Sequence, residues 1–383
     1  MKLYKKIIIF ALAIVSFFSV NLVTANAQTV FQTSAKSALI MDADSGTIIY
    51  KHNENERLPI ASMTKIMLLD IVFEQIEGGK LNLEDKITVS ENASGMGGSQ
   101  VFLQANKQYF VKDLIKSVVV ASANDASVAL AEKIGGSEVN FVNLMNQKAK
   151  DMGLKNTLFS NCTGLSKPVQ YSTAHDVAIM LKSLIKHKNY FDYSKIWLDE
   201  ITHPDGSKTT LTNTNKLSKF YEGCDGGKTG FTNESKFCLA ATAKRENTRL
   251  IAVVIGEESS KTRFKDVSEM FNTAFANFES AVVVSKDNAF GEPVYIKGSK
   301  QEFYNAYPEK DVAVFNEKGA KLEYKTQIIY ENNLKAPLKK GDKIGEIILF
   351  KDGVEYSRTN LTLHEDVLKL SFKDALDKVA QNW

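Results

Sequence analysis

Apolar residues recur with two different periods along the first 280 residues, and these periods predict strands near both ends of this stretch with helices between them. Residues 36–50 alternate and contain an Asp-Ser-Gly turn, which predicts a β-hairpin. The segment 62–76 is apolar on nearly every side and precedes Gly78-Gly79, which predicts a buried helix that ends there. Further predicted elements are helices over 111–121, 124–134, 138–151, 173–187 and 262–279, and strands over 237–243 and 249–256. This order predicts an α/β sandwich, in which helices pack against a mostly antiparallel sheet.

The pattern changes after residue 280, where short β-rich runs alternate with turn signals. The runs are Val282–Val284, Val294–Ile296, Val312–Phe315, Gln327–Tyr330 and Ile344–Phe350. They predict a small all-β domain over 281–362, behind a larger domain over 28–280.

The last segment, 363–383, has apolar residues at helical spacing and predicts an amphipathic helix. Two interpretations stay open for this helix: it packs on the β domain, or it lies flat on the outer face of the cytoplasmic membrane. We favour the membrane, because no protein partner is predicted for an apolar stripe at this end of the chain.

The first 27 residues have the pattern of a secretory signal peptide. Three lysines precede an apolar run over 7–15, and Ala25-Asn26-Ala27 supplies a small–x–small cleavage motif. The alternative is a retained transmembrane anchor, but polar residues between 16 and 21 shorten the apolar stretch below the roughly 18–20 residues that a span needs. We therefore expect an exported, extracytoplasmic protein that begins near Gln28.

Composition and charge narrow the class of protein further. The chain is 44% hydrophobic and 24% charged, which is typical of a globular protein. Its formal charge of +3 comes from the three lysines of residues 1–27, so the remainder holds 45 basic and 45 acidic residues. A neutral chain lacks the electrostatic signature of a general nucleic-acid binder.

The three cysteines, Cys162, Cys224 and Cys238, have no spacing typical of a metal site or a disulfide framework. We expect small buried hydrophobic residues, with a Cys224–Cys238 bridge as the alternative. A catalytic thiol is disfavoured, because no histidine stands at a recognisable partner position.

Candidate chemistry is found in three short motifs: Ser62-Met-Thr-Lys65, Ser122-Ala-Asn124 and Lys228-Thr229-Gly230. The first two patterns also occur at Ser183–Lys186 and Ser90–Asn92, whereas Lys-Thr-Gly occurs once. The pattern alone therefore does not identify the functional copy, and the position of each motif in the predicted helices and strands has to decide.

Ser62 and Lys65 lie three residues apart in the first turn of the predicted buried helix, and hence on one face. Burial lowers the pKa of a lysine, so Lys65 can act as the base that takes the Ser62 proton. Ser183 and Lys186 lie near the polar end of a helix, where a lysine keeps its proton.

Ser122 stands at a junction between two predicted helices, where short polar side chains project into a cleft. It can pass a proton to a leaving amine, and Asn124 can hold a substrate amide. The alternative for these two residues is an ordinary helix N-cap.

Lys228-Thr229-Gly230 precedes Phe231-Thr232, which is predicted to begin a strand along whose edge an extended peptide can add. Lys228 would polarise the site, and Thr229 and Thr232 would meet a carboxylate. The backbone N–H groups of Ser62 and Phe231 are candidate oxyanion donors. The alternative is a turn with a solvated lysine.

Together the motifs resemble those of penicillin-recognising serine peptidases, and more narrowly of the low-molecular-mass penicillin-binding proteins that are D-alanyl-D-alanine carboxypeptidases. The likeness extends from about residue 30 to 360. It includes 59–65, 97–99, 121–126, Asn161 with Gly164-Leu165, 171–174 and 225–232. A β domain followed by an amphipathic helix is also the layout of that family.

The resemblance implies a β-lactamase/transpeptidase-like fold and a role for each motif residue. Ser62 would be the nucleophile, Lys65 the base and Ser122 a proton relay, with Asn124 and Lys228 contacting the substrate. Arg263 resembles the arginine that steers the terminal carboxylate. Some members have histidine where this chain has Phe231, so only a backbone role is expected there.

The implied reaction releases the terminal D-alanine of a peptidoglycan stem peptide through a Ser62 acyl-enzyme, with no metal or cofactor, and β-lactams would acylate the same serine. The alternatives are a D,D-endopeptidase or transpeptidase, a β-lactamase and a non-catalytic penicillin sensor. A β-lactamase fits less well, because no Glu-x-x-Leu-Asn segment follows the second motif. A sensor usually carries a membrane signalling segment besides a leader.

Overall fold

A computed structural model of the protein describes residues 31–374. The predicted signal peptide (1–27) and residues 375–383 of the predicted C-terminal helix lie outside the described residues. Residues 33–374 belong to one compact unit.

The longer described helices agree closely with the sequence pattern. The described helices are a short 3-10 helix at Ala61–Thr64, followed by α1 (Lys65–Glu77), α2 (Glu91–Ser94), α3 (Val111–Ala121), α4 (Asn124–Gly135), α5 (Glu138–Asp151), α6 (Ala174–Leu184), α7 (Tyr190–Ser194), α8 (Leu217–Phe220) and α9 (Ser260–Asn277). The short helices α2, α7 and α8 were not predicted. A further detail differs from the prediction, because Ser62 lies in the 3-10 turn and the α-helix itself begins at Lys65.

The strands fall into a first group before α9 and a second group after it. They are β1 (Ser37–Asp42), β2 (Ile48–His52), β3 (Lys86–Thr88), β4 (Gln108–Phe110), β5 (Leu198–Thr202), β6 (Lys208–Thr212), β7 (Cys224–Thr232), β8 (Lys236–Arg245), β9 (Thr248–Glu257), β10 (Phe278–Val284), β11 (Val294–Tyr295), β12 (Phe303–Tyr304), β13 (Tyr307–Pro308), β14 (Val312–Glu317), β15 (Lys325–Tyr330), β16 (Lys343–Lys351) and β17 (Val354–Thr362).

A five-stranded sheet in the order β2-β1-β9-β8-β7 organises the first part of the chain, and every neighbouring pair is antiparallel. In β9, Ile251, Val253 and Ile255 belong to the core that α1–α6 share. The alternating residues 250, 252 and 254 are also buried and face the opposite side, where α9 packs. The predicted α/β sandwich is confirmed, and β7 lies at an edge of its sheet.

The Lys-Thr-Gly motif lies inside β7 rather than before a strand, which corrects the prediction. Gly226 and Gly227 do not interrupt the strand, since they pair with Thr242 and Ala241 of β8. Gly227 has a φ of +132°, and a Cβ there would lie 2.3 Å from the Ala240 carbonyl oxygen. Here glycine permits a distorted, closely packed strand instead of ending one.

Residues 278–371, which follow α9, form strands and loops, so the predicted all-β region is confirmed. Its four-stranded sheet has the order β13-β17-β16-β15, and shorter two-stranded sheets accompany it. A separate apolar core includes Val314, Ile347, Leu349 and Leu361. The boundary at residue 281 stays a prediction, and β10 begins at Phe278 directly after α9.

Residues 363–371 differ from the prediction, because they form an irregular segment with two isolated β-bridges rather than a helix. Val367 is buried and exchanges two backbone hydrogen bonds with Leu338, and Leu370 N donates to Gly298 O. This pairing with the β region overrides the helical spacing of the apolar residues. Phe372–Asp374 are helical. Across residues 31–374, no helix combines the length and apolarity that crossing a bilayer requires.

Candidate active site

Ser62 and Lys65 occupy the turn that leads into α1, with Lys65 fully buried. Lys65 Nζ donates to Ser62 Oγ at 2.9 Å, to Asn124 Oδ1 at 2.7 Å and to Thr163 O at 2.6 Å. Three oxygens from three segments of the chain therefore hold the amine beside the hydroxyl.

The environment of Lys65 alters its protonation. Burial lowers the pKa of Lys65 to about 7, and the negative charge of Asp125 opposes this only in part. A substantial fraction of Lys65 is therefore a neutral amine at neutral pH, which is the form that can accept the Ser62 proton.

Ser122 joins α3 to α4 with a φ of +62°, in the left-handed region that non-glycine residues seldom adopt. It is not a helix N-cap, since Ala123 holds that position in α4. The N-cap interpretation is therefore wrong. A residue held in such a conformation is typical of a functional site.

Lys228 reaches across from β7, and its Nζ donates to Ser122 Oγ at 2.7 Å and to Thr229 O at 3.1 Å. Only 2% of Lys228 is exposed, so the interpretation as a solvated lysine is wrong. Burial lowers the pKa of Lys228 well below its usual value, and the nearby charges of Lys65 and Arg263 lower it further.

Asn124 connects this cluster to a neighbouring loop. Its Nδ2 donates to Gly97 O at 2.7 Å, and its backbone N donates to Ser99 O at 2.7 Å. Asp125 holds the continuation of the same loop, since its carboxylate accepts from the backbone N–H groups of Val101 and Leu103. Contact between Asn124 and a substrate stays a prediction.

Two glycines allow the backbone to close tightly around Ser62. A Cβ on Gly230 would lie 2.6 Å from Ile60 O, and a Cβ on Gly164 would lie 2.0 Å from Ala61 O and 2.8 Å from Ser62 N. The edge strand β7 and the loop at Gly164 therefore flank the nucleophile at distances that no side chain would permit.

The remaining predicted contacts lie at different depths. Thr229 Oγ1 donates to Thr214 Oγ1 at 2.8 Å beside Lys228. Thr232 bonds with Ser235 through both its backbone N–H and its hydroxyl, and the Phe231 ring is half exposed. Their contacts with a carboxylate, and the oxyanion role of the Phe231 N–H, stay predictions.

Arg263 lies on α9 and does not join the cluster around Ser62. Its Nη1 donates to Gly230 O at 3.1 Å and to Cys238 O at 3.2 Å, so the guanidinium supports the Lys-Thr-Gly strand. Burial lowers the pKa of Arg263 to about 10. The predicted contact with a substrate carboxylate stays a prediction.

Sequence reasoning assigned no role to several groups that shape the site. Thr163 offers its carbonyl to Lys65 because the Asn161 side chain accepts from Thr163 N and Gly164 N and so folds the loop. A backbone carbonyl carries no residue-type signal, although the Asn161…Gly164 spacing marks this loop.

The three cysteines are buried and free, which agrees with the expected small hydrophobic role and not with a Cys224–Cys238 bridge.

Comparison with known proteins gives a consistent set of similarities. Residues 22–259 match the S11 peptidase family, described as D-alanyl-D-alanine carboxypeptidase, and residues 278–369 match the C-terminal domain of penicillin-binding protein 5. The chain is 40% identical over 350 residues to D-alanyl-D-alanine carboxypeptidase DacF of Bacillus subtilis, which covers 91% of this chain and 90% of that protein.

Solved structures show the same similarity. Penicillin-binding protein 5 from Haemophilus influenzae is 33% identical with a TM-score of 0.67, and the match covers 88% of this chain and 98% of that one. A Streptomyces DD-transpeptidase is 29% identical with a TM-score of 0.60, over 64% of this chain and 99% of that one.

Proposed function

Because the chain belongs to the D-alanyl-D-alanine carboxypeptidase family of serine peptidases, we propose that Ser62, Lys65, Ser122 and Lys228 carry out its reaction. The protein is a serine-type D-alanyl-D-alanine carboxypeptidase, a hydrolase that acts on peptidoglycan stem peptides ending in D-Ala-D-Ala. Two contacts support this proposal. Lys65 Nζ lies 2.9 Å from Ser62 Oγ, and Lys228 Nζ lies 2.7 Å from Ser122 Oγ.

Acylation begins at Ser62. Its Oγ attacks the carbonyl carbon of the penultimate D-alanine while neutral Lys65 takes the hydroxyl proton. The developing oxyanion accepts hydrogen bonds from the backbone N–H groups of Ser62 and Phe231, which belong to the turn before α1 and to β7. No side chain has to move far, since Lys65 and Ser62 are already within hydrogen-bond distance.

The leaving group then needs a proton. Ser122 donates its hydroxyl proton to the nitrogen of the departing D-alanine, and Lys228 stabilises the Ser122 oxygen through their 2.7 Å contact. The proton that Lys65 took from Ser62 then passes to the Ser122 oxygen, which leaves Lys65 neutral again. Water next attacks the acyl-enzyme carbonyl while Lys65 takes a proton from the water, and this proton goes to Ser62 Oγ as the ester bond breaks and the tetrapeptide leaves. A β-lactam follows the same first step, but its ring-opened amine stays attached to the acyl group.

The test is a pair of serine substitutions in the purified protein. We expect Ser62→Ala to abolish both D-alanine release from a pentapeptide and covalent labelling by a fluorescent penicillin. The matched control is Ser183→Ala, which removes the serine of the second Ser-x-x-Lys pattern and is expected to leave both signals unchanged. Penicillin labelling that survives Ser62→Ala would refute the choice of nucleophile.

A second candidate activity is transfer of the acyl group to an amine, because one similar structure is that of a DD-transpeptidase. The two activities share Ser62 and differ only in the acceptor. Mass spectrometry of the pentapeptide incubated with and without an added amino-acid acceptor separates them. Tetrapeptide alone indicates hydrolysis, and a new amide product indicates transfer.

We further propose that the protein is exported and lies at the outer face of the cytoplasmic membrane. The sequence pattern of residues 1–27 supports export, and the exposure of Leu368 (61%) and Phe372 (82%) supports contact with lipid near the C-terminus. Removing 372–383 leaves the buried Val367 in place and is expected to move the protein from membrane to soluble fractions. Unchanged partitioning would refute the membrane role.

A further inference from the structure

A cavity of about 440 Å³ opens beside the nucleophile, outside the cluster of motif residues. It lies between Ala61, the loop Gly164–Tyr171 and the end of β7 at Thr232. Its volume falls in the range typical of ligand sites, and Pro59, Ile60 and Leu165 contribute apolar walls. None of the catalytic steps described above uses this space.

The proposed function fixes which part of the substrate lies nearest the cavity. Ser122 protonates the leaving amine, so the departing D-alanine lies toward Lys228 and Thr229, and the acyl part lies toward the other end of β7. A peptide along a strand edge advances by about 3.3 Å per residue. The third residue of the stem peptide, which precedes the acylated D-alanine, is then level with Phe231–Thr232, where the cavity opens.

Opposite charges line the cavity. The Glu234 carboxylate accepts a hydrogen bond from Ser166 Oγ at 2.6 Å, which orients it between the end of β7 and the facing loop. Arg57 donates through Nε and Nη2 to Asn156 Oδ1, and its guanidinium lies 4.9 Å from the centre of the Tyr171 ring.

Neither charge is neutralised by the protein itself. Among residues 31–374, neither Glu234 nor Arg57 forms a salt bridge. Lys167 is a further cation in the lining, on the exposed side of the loop. An oriented anion and an oriented cation in one cavity are complementary to a ligand group that carries both charges.

We infer that this cavity is the subsite for the third residue of the stem peptide, and that it selects a side chain ending in both an ammonium and a carboxylate. Glu234 binds the ammonium, Arg57 binds the carboxylate, and the apolar walls contact the methylene groups. A lysine side chain would supply a counterion to Glu234 alone and leave the charge of Arg57 without one. The inference rests on the proposed function for the direction in which the peptide lies.

The test compares three pentapeptides that differ only at the third residue: meso-diaminopimelate, L-lysine and the uncharged L-norleucine. We expect kcat/KM to fall in that order, by about three- to tenfold for each charge lost. Equal values for all three peptides, or a preference for norleucine, would overturn the inference.

Variants identify the residues responsible. Glu234→Gln is expected to reduce the ratio of kcat/KM for the lysine peptide over the norleucine peptide. Arg57→Gln is expected to reduce the ratio for diaminopimelate over lysine. Glu258→Gln is the matched control, an exposed acid outside the cavity lining, and should change neither ratio. Ratios that stay at the wild-type value in both cavity variants would refute the assignment.

A binding measurement separates failure of the subsite from failure of the proposed function. Calorimetry with Ser62→Ala protein measures the dissociation constants of the same three peptides without turnover. The expected order of affinity is the same as that of kcat/KM. Loss of turnover in the wild type with this order intact would refute the carboxypeptidase reaction alone, whereas equal affinities or no binding would refute the subsite.

Discussion

The chain before residue 278 buries charged side chains, whereas the described β region, 278–374, buries only uncharged polar ones. The buried charged residues of the first region include Lys65, Asp70, Asp125, Lys228, Glu257, Arg263 and Asp266. Those of the β region are Ser280, Ser299, Thr359 and Thr362, and its ion pairs lie at the surface. Burying a charge costs stability unless it is paired.

The difference shows where the molecule gives up stability for chemistry. Lys65 and Lys228 have no carboxylate within salt-bridge distance among the described residues, and burial lowers the pKa of each. The carboxylate of Asp70 on α1, by contrast, pairs with Lys148 at 3.0 Å and with His187 at 3.0 Å. The buried charges of Lys65 and Lys228 thus take part in the proposed reaction, whereas that of Asp70 stabilises the helix that carries Lys65. The β region has neither kind of buried charge among its described residues.

Among changes that keep the catalytic side chains, the largest effect is expected from a methyl group placed between the loop at Gly164 and Ser62. Gly164→Ala puts a Cβ 2.0 Å from Ala61 O at a φ of +87°, so the turn carrying Ser62 has to move. We expect penicillin acylation to slow at least about tenfold, because small misplacements of reacting atoms are costly. Stopped-flow labelling measures the rate.

The control for this change lies in the β region. Gly298 has a similar φ of +73°, and a methyl group there would have no neighbour within 4 Å, so Gly298→Ala carries only the backbone cost of about 1 kcal/mol. Acylation should be unaffected. Equal rates in the two variants would show that close packing at Gly164 does not position Ser62.

A smaller effect is expected from the contacts of His187 with Asp70 and Glu77 of α1. Burial by itself lowers the pKa of His187, but hydrogen bonds to Asp70 and Glu77 outweigh it, and the pKa is raised. The imidazolium therefore stabilises the fold fully below the unfolded-state pKa of about 6.5, and this contribution is lost as pH rises through the raised folded-state value.

Urea unfolding across this pH range measures the effect of His187→Gln. The difference in free energy of unfolding from the wild type should be greatest below about pH 6.5 and should shrink at higher pH. The exposed His52 provides the control, since His52→Gln should show no such trend. A difference for His187→Gln that does not change with pH would contradict the ion-pair network.

The smallest effect is expected at the surface of the β region. Arg358 bonds with Glu346 and Glu355 and is 43% exposed at its side chain. Because exposed pairs contribute little, Arg358→Met should leave both the free energy of unfolding and penicillin labelling nearly unchanged. A clear loss of stability by urea unfolding would mean that the surface network supports the region.

Local pattern was sufficient for the long helices before residue 278 and for the motif spacing that places Ser62 beside Lys65, but it missed the short helices α2, α7 and α8. It failed where distant backbone decides the conformation: Gly226-Gly227 continues β7 because β8 pairs with it, and 363–371 is not helical because Leu338 pairs with Val367. The β5–β6 hairpin and β17 were also not predicted. The Thr163 carbonyl that holds Lys65 has no sequence signal, because its role depends only on the fold of its loop.

The central claim is that a buried Lys65 with a lowered pKa activates Ser62 in its neutral form, and the pH dependence of penicillin acylation tests it most directly. Since burial lowers the pKa of Lys65 to about 7, the second-order rate constant should rise about tenfold per pH unit below that value and level off above it. A rate constant that is flat from about pH 5.5 to pH 8.5, or that keeps rising toward the ordinary lysine value of about 10.4, would contradict the claim.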